Sequence, residues 1–406
     1  MNKKFIILLT VFIDVLGIGI IIPVLPFYVE SFGASAFVVT LLFAVFSFFS
    51  FFSAPFLGAL SDKIGRRPVL ILSILSTAIG WLVFAAAGNI FFLFLGRIID
   101  GMAAGNFPIA QSYLIDISKD DKEKTTNLGL IGAIFGIGFI IGPLIGGLLS
   151  AISLSFPFWF VGGLAFINFI LAIINLPETN KNKNADKKVR LNPFLPLWKS
   201  LKNKKLRTGF IAWFLFGLAI AAQQSTFSLY LNKEFNFTSI MVGFVTAGMG
   251  LVLIFNQGFA LKKIWLKKFT EESLNIWFML ILTIGFFFMG LNYLIIFIIG
   301  ILGISFAQSI LRAVMTSQIT KRGEKTEQGM TLGVMNSVMS LSMILGPILA
   351  GVLFGLKSNF PFLAATFFGV IAFILLFLES KRNRQAVSER NENDLIIEEQ
   401  QVDLIS

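Results

Sequence analysis

The sequence predicts an all-α polytopic membrane protein, with twelve transmembrane helices in two parallel-repeat six-helix bundles. Three observations carry that prediction. Apolar runs of about twenty residues recur from end to end, each long enough to cross about 30 Å of hydrocarbon. The connections between them alternate between cationic and nearly uncharged, as the positive-inside rule requires of successive loops. The second half also repeats motifs of the first at one common offset, about half the chain. Composition agrees: 56% of the 406 residues are hydrophobic, and the mean hydropathy is +0.84. A soluble protein of that length needs more polar surface.

The first run begins at Phe5 and continues through Pro23 and Pro26 to Tyr28. No small-residue cleavage site ends it, so it reads as a retained span rather than a signal peptide. The expected spans are 5–28, 38–60, 69–87, 90–115, 127–150, 156–176, 208–231, 239–261, 273–290, 293–319, 329–355 and 361–379. Cations gather at Lys3/Lys4, Lys63 to Arg67, Lys119 to Lys124, Lys181 to Arg207, Lys262 to Lys268, Lys321 to Lys325 and Lys381 to Arg384. The intervening links are short and nearly uncharged, such as Gly88-Asn89 and Leu291-Asn292. Both termini are therefore expected in the cytoplasm, and the compact loops suggest a cell inner membrane. The net charge of +11 follows from this topology and does not call for nucleic acid.

The segment 177–207 is the one long polar interruption, rich in Lys and Asn with Pro193 and Pro196. It divides the chain into an N-terminal six-helix bundle, 1–176, and a C-terminal bundle, 208–379. Lys199 to Arg207 reads either as an interfacial amphipathic helix anchored by Trp198 or as a solvated tether. The tail 380–406 is charged and expected to be disordered. The repeat pairs Phe156-Pro157-Phe158 with Phe360-Pro361-Phe362, and Gly142-Pro143 with Gly346-Pro347. Leu128-Gly129 matches Leu332-Gly333 at the same spacing. An even helix number per repeat preserves orientation, so the pseudo-axis runs along the membrane normal and a solute path lies between the halves.

The chain has no Cys and no His. That removes thiol nucleophiles, disulfides and the usual zinc ligands, and leaves proton handling to carboxylates. No Walker-type phosphate loop is present, and Gly136-x-Gly138 lies inside a membrane helix with no preceding strand. Neither an enzyme activity nor a cofactor or metal is expected.

Few polar groups sit in the apolar spans, where they are costly. Asp14 is close to the midplane, where desolvation disfavours its anion. It reads as a proton carrier or as a fixed ion-pair partner. Arg97 and Asp100 are three apart on one helix face. They read as a switch, in which protonation of Asp100 frees Arg97, or as a permanent pair. Gln111, Asn106, Gln223, Gln224, Gln257 and Gln308 offer amides for solute recognition or for interhelical hydrogen bonds. Arg312 would hold an anionic group or snorkel to the interface.

The island Gly58-Ala-Leu-Ser-Asp62-Lys-Ile-Gly65-Arg66-Arg67-Pro68 resembles the signature between the second and third helices of the major facilitator superfamily. Arg97 with Gly101 is similar to its fourth-helix arginine motif, with Asp100 where Gln is common. Gly138, Gly142, Pro143, Gly146 and Gly147 resemble the glycine-proline motif of its antiporter branches. Asp14 with Gly17, Gly19, Pro23 and Pro26, and the stretch Tyr113 to Gly129, resemble the twelve-helix drug/proton antiporters, tetracycline antiporters among them. The resemblance is loose in the second half, where Leu261 to Phe269 lacks the Asp and the paired Arg. It implies a proton-coupled antiporter that exports a small amphipathic compound or drug by alternating access, as a monomer in the lipid bilayer. It also implies a conformational latch of Gly58, Asp62, Gly65, Arg66, Arg67 and Asp116, with Asp62 near the start of the eleventh helix around Gly329 to Leu332. The alternatives are a transporter of a specific metabolite, such as a siderophore or amino acid, and a non-transporting membrane scaffold.

Overall fold

The computed structural model describes residues 3–102, 104–180, 203–322 and 328–403. The expected tether at Lys199 and Trp198 lies largely outside those residues. Among the described residues, twelve helical segments are long and apolar enough to span a bilayer. In chain order they are α1 (Lys3–Glu30), α2 (Ala36–Ile64), α3 (Arg66–Ala85) and α4 (Ile90–Met102 and Asn106–Asp116). Then come α5 (Asp121–Leu149), α6 (Phe156–Asn175), α7 (Lys204–Phe235) and α8 (Ser239–Phe255, continued through Lys268). The last four are α9 (Glu271–Met289), α10 (Leu294–Arg322), α11 (Gln328–Leu356) and α12 (Phe360–Asp403).

The helices outrun the apolar runs that predict them, because their polar ends wind on beyond hydrocarbon thickness. Their starts are set by side chains that satisfy free N–H groups. Asp120 accepts from the Glu123 amide at 2.7 Å, while Glu123 reaches back to the Lys119 amide at 2.8 Å. That reciprocal arrangement fixes the entry to α5. Thr238 and Thr270 cap α8 and α9 in the simpler manner. Beyond the twelfth span α12 runs on through the tail segment 380–403. That segment contains neither Gly nor Pro and is rich in Glu, Gln and Arg, all good helix formers.

Within the first half α1 packs on α5 and α6, α3 on α4 and α6, and α2 on α4. The second half repeats the scheme: α7 on α11 and α12, α9 on α10 and α12, and α8 on α10. The halves meet through α5 against α8 and α2 against α11, a pairing that maps onto itself when the halves are exchanged.

With an even number of spans, both ends of the chain lie on one face, here called the cationic face. The halves are joined near the other. Ser150 and Ser239 share a buried 2.7 Å hydrogen bond at the far ends of α5 and α8. Ser228 Oγ donates to the Pro23 carbonyl at 3.3 Å. A Cβ on Gly243 would lie 2.6 Å from the Pro143 carbonyl oxygen, and one on Gly250 2.9 Å from that of Phe139. Toward the cationic face the same helices part, and a Cβ on Gly129, Gly132 or Gly258 would meet nothing within 4 Å. The molecule is closed on one side and open on the side that carries its termini.

Candidate functional site

Between the halves lies a cavity of about 480 Å³, within the range of small-molecule sites. Its walls are mostly apolar, with aromatic side chains from both halves: Phe46, Trp81, Phe135 and Phe139 on one side, Phe216 and Phe227 on the other. Four ionisable side chains reach it: Asp14, Arg97, Asp100 and Arg312.

The first three belong to the first half and fall in two polar groups, Asp14 with Asn106 and Thr77, and Arg97 with Asp100. Asn106 Nδ2 donates to Asp14 Oδ1 at 3.1 Å and to Thr77 Oγ1 at 3.0 Å, tying α1, α3 and α4 together. Asn106 is buried at the start of the second piece of α4, just after the turn at 104–105. The Asn106 Oδ1 atom has no protein partner. Arg97 and Asp100 are 4% and 8% exposed and 3.5 Å apart. The Arg97 guanidinium also lies 4.4 Å from the Trp81 ring centroid, 5.0 Å from that of Phe84 and 5.3 Å from that of Phe46. Such stacking contributes about 1–2 kcal/mol where water is excluded. The ion pair is therefore one of several contacts that hold Arg97, so loss of charge on Asp100 would leave the guanidinium supported by rings.

On the opposite wall, Gln223, Gln224 and Gln308 line the cavity together with Arg312. Gln308 and Arg312 are four apart on α10 and share a face. Two predicted solute-binding amides fall elsewhere. Gln111 is not among the lining residues. It lies five residues beyond Asn106, about 140° round the helix at ~3.6 residues per turn. Gln257 also lies off the cavity and donates to the Ser309 carbonyl at 3.3 Å. It sits where α8 changes to a π-helix over Asn256–Trp265, which alters the progression of faces.

The glycine-proline motif occupies the junction between halves. Gly138, Gly142 and Gly146 pack on Val15, Gly19 and Ile20 of α1, and Gly147 and Pro143 on Ile240 and Gly243 of α8. A Cβ at Gly142 would lie 2.9 Å from the Gly19 Cα, so the two backbones cross in contact five residues from Asp14.

At the cationic face Arg66 forms an ion pair with Asp62 and a second with Asp116 at 3.3 Å, and donates to Ser61 Oγ at 2.7 Å. Arg67 donates to the Ile173 carbonyl at 2.8 Å. Gly58 faces open space, and Gly65 has φ +119°, where a side chain is strained. The expected neighbourhood of Asp62, Gly329 to Leu332, is the first turn of α11. Sequence reasoning missed Glu178. Its carboxylate accepts from the Arg66 amide at 2.9 Å and the Arg67 amide at 3.3 Å, capping α3 from the end of α6. Asn180 Nδ2 adds a 2.8 Å bond to the Asp62 carbonyl, and Tyr113 donates to the Pro177 carbonyl at 2.7 Å. A lone carboxylate directly after the sixth span was the available signal.

The family profile described as Major Facilitator Superfamily matches residues 7–324, and again 263–403. The quinolone resistance protein NorA of Staphylococcus aureus is 28% identical over 397 residues, covering 96% of this chain and 100% of that protein. The class H tetracycline resistance protein of Pasteurella multocida is 31% identical over 283 residues, covering 67% of this chain and 69% of its own length. Among solved structures, the nucleoside transporter NupG superposes with a TM-score of 0.77 at 16% identity, covering 93% and 99% of the two chains. The human organic anion transporter MFSD10 does so at 0.69 and 22%, covering 92% and 98%.

Proposed function

The chain belongs to the major facilitator superfamily and is a multi-pass membrane transporter of small molecules, not an enzyme; from that premise we propose that it exports an amphipathic compound in exchange for protons. The observation that carries this reading is Asp14. It is a carboxylate on the wall of the central cavity, held by Asn106 and followed deeper in the first half by Asp100 and Arg97. A carboxyl in that position takes up a proton when the cavity faces one side and gives it up when it faces the other. The resistance proteins named above, which match over two thirds or more of this chain, support export as the direction.

In this reading the open face is cytoplasmic, the membrane is the cell inner membrane, and the transporter works as a monomer. Solute enters between the aromatic walls and meets Gln223, Gln224 and Gln308. The halves then rock about the α5–α8 and α2–α11 contacts. Protonation of Asp100 weakens its attraction for Arg97, which stays on Trp81 and Phe84, so the polar system changes charge without losing its geometry. The clasp of Asp62, Arg66, Asp116 and Glu178 keeps the cationic end of the first half rigid during that motion.

The test uses proteoliposomes carrying a pH-sensitive dye and an imposed proton gradient, challenged with cationic dyes, tetracyclines, siderophores and amino acids. Solute-dependent proton flux that is lost in Asp14→Asn is the expected result. Solute movement without proton flux, equal in wild type and Asp14→Asn, overturns the exchange reading and leaves a facilitator.

A further inference from the structure

Among the described residues α8 alone contains π winding, a run of ten residues from Asn256 to Trp265. Such winding is rare and occurs mostly as single-turn bulges, so a run of this length calls for a cause. Its position supplies one. α5 and α8 are antiparallel and touch at four successive levels. From the closed side toward the cationic face, a Cβ on Gly147 would lie 3.1 Å from Ile240, and one on Gly243 2.6 Å from Pro143. Next come Gly250, 2.9 Å from Phe139, and Gly136, 2.8 Å from Ile254. There the seam stops, and the π-helix begins two residues after Ile254.

Counting on by threes and fours, the next members of an α-helical seam are Gly132 and Gly129 on α5, and Gly258 and Leu261 on α8. All three glycines are exposed and face open space. Leu261 is turned instead onto the core of its own half. So is Trp265, whose ring meets Phe278 of α9 edge-on at 5.0 Å. An α-helix turns about 100° per residue, and i→i+5 bonding turns less. Residues beyond Asn256 therefore fall behind the line that faces α5. Rocking the halves together as rigid bodies would bring the wrong face of α8 to the seam. The π winding also leaves polar groups unsatisfied at both its ends. Asn256 is fully buried with neither amide atom bonded, and the buried Trp265 Nε1 has no partner. Groups of this kind are costly to hold away from water.

We infer that α8 rewinds from π to α as the cationic face closes, returning Gly258 and Leu261 to the seam against Gly132 and Gly129. The glycines let the two backbones cross in contact, as Gly142 and Gly19 do between α5 and α1. Rewinding also carries Trp265 off Phe278 and frees its N–H for water. Each winding buries apolar groups that the other exposes, which makes α8 a two-state element that closure can bias. The inference rests on the alternating-access part of the reading above and holds for any solute or ion that is moved.

The test uses the full chain in lipid nanodiscs, with spin-label pairs introduced through Cys into a sequence that has none of its own. Labels at Met241 and Lys267, both exposed, bracket the π-helix within α8. Labels at Phe37 and Lys63, exposed and equally far apart in sequence, bracket the α-helical α2 as a control. A third pair, Lys122 and Lys267, reports closure of the cationic face. Gly243→Ala, which crowds the closed side, is used to populate that closure. Because a π-helix is shorter per residue, the Met241–Lys267 distance should lengthen toward the ~39 Å of an unbroken α-helix. It should do so in step with shortening of the Lys122–Lys267 distance, while the α2 control stays fixed. Gly258→Leu fits the open seam and obstructs the sealed one, so it should lower the long-distance population about fivefold or more. Gly248→Leu, on the same helix in open space but off the seam, should leave that population unchanged. A Gly132→Cys, Gly258→Cys pair should cross-link on oxidation, which requires Cα atoms within about 7 Å. A cationic face that closes at an unchanged Met241–Lys267 distance, or that never brings positions 132 and 258 together, overturns the inference. Solute-dependent flux in the proteoliposome assay then confines the failure to the rewinding, whereas absence of that flux removes the exchange reading as well.

Discussion

Replacing Gly243 by Ala should shift the molecule away from the state described above. The added methyl would be 2.6 Å from the Pro143 carbonyl oxygen, with Gly147 Cα at 3.3 Å behind it. Ordinary contact needs a separation nearly an ångström longer, and both obstacles are backbone atoms of α5 that no rotamer change can move. Overpacking of this kind costs about 1–3 kcal/mol. The contact joins the halves on their closed side, so any conformation in which that side opens escapes the cost. The conformational equilibrium should therefore move by about fivefold to 150-fold toward opening opposite the cationic face. The absence of native Cys makes this directly measurable, since engineered pairs carry no background. Spin labels at Asn89 and Tyr293 report the closed face, and labels at Lys122 and Lys267 the open one, all at exposed positions. In Gly243→Ala the first distance should lengthen and the second shorten. Unchanged distributions in a folded variant would refute the argument that this helix crossing holds the halves together.

Other outcomes follow from the same geometry. Ser150→Ala and Ser239→Ala should each shift the balance in the same direction as Gly243→Ala, and their double-mutant cycle should give a coupling near ~1 kcal/mol, read from the same labels. Glu178→Gln removes a full charge from the N-terminus of α3. It should lower the thermal stability of the purified chain by about 1 kcal/mol without altering solute binding in the cavity. Gly65→Ala puts a side chain at φ +119° against the Glu178 carboxylate, and should be more damaging than Glu178→Gln in the same melting assay, by about 1–3 kcal/mol. Arg97→Lys keeps the charge but loses most of the stacking on Trp81. Proton-driven flux should fall about fivefold or more, the scale of ~1 kcal/mol of cation–π energy.

The architecture was legible because membrane burial imposes a signal on every span, and the loops add an independent one in their charge. Asp14, Asp100, Arg97 and Arg312 were legible for a related reason: a charge in an apolar helix is too costly to be incidental. The partners of those charges were not legible. Asn106 and Asp14 are 92 residues apart in sequence, and their hydrogen bond depends on how α1, α3 and α4 pack. Facing was the other difficulty. Gln111 and Gln257 have the chemistry of solute ligands, yet helix phase turns one away and a change of winding diverts the other. Glu178 escaped notice because a carboxylate at the edge of a polar segment looks like solvent-facing charge until the α3 terminus is brought against it.

The cavity between the halves also sets a hydration account for the transport cycle. At ~30 Å³ per molecule, about 480 Å³ holds on the order of fifteen waters, and closing around nothing would strand them against Phe and Trp rings. A solute with a broad aromatic body expels most of that water as it enters, so the filled protein closes more readily than the empty one. Osmotic stress should then mimic part of the solute's effect, because an excluded osmolyte draws the same water out from the open face. On the exchange reading, a cavity of this kind should select for bulk and dryness as well as for polar contacts.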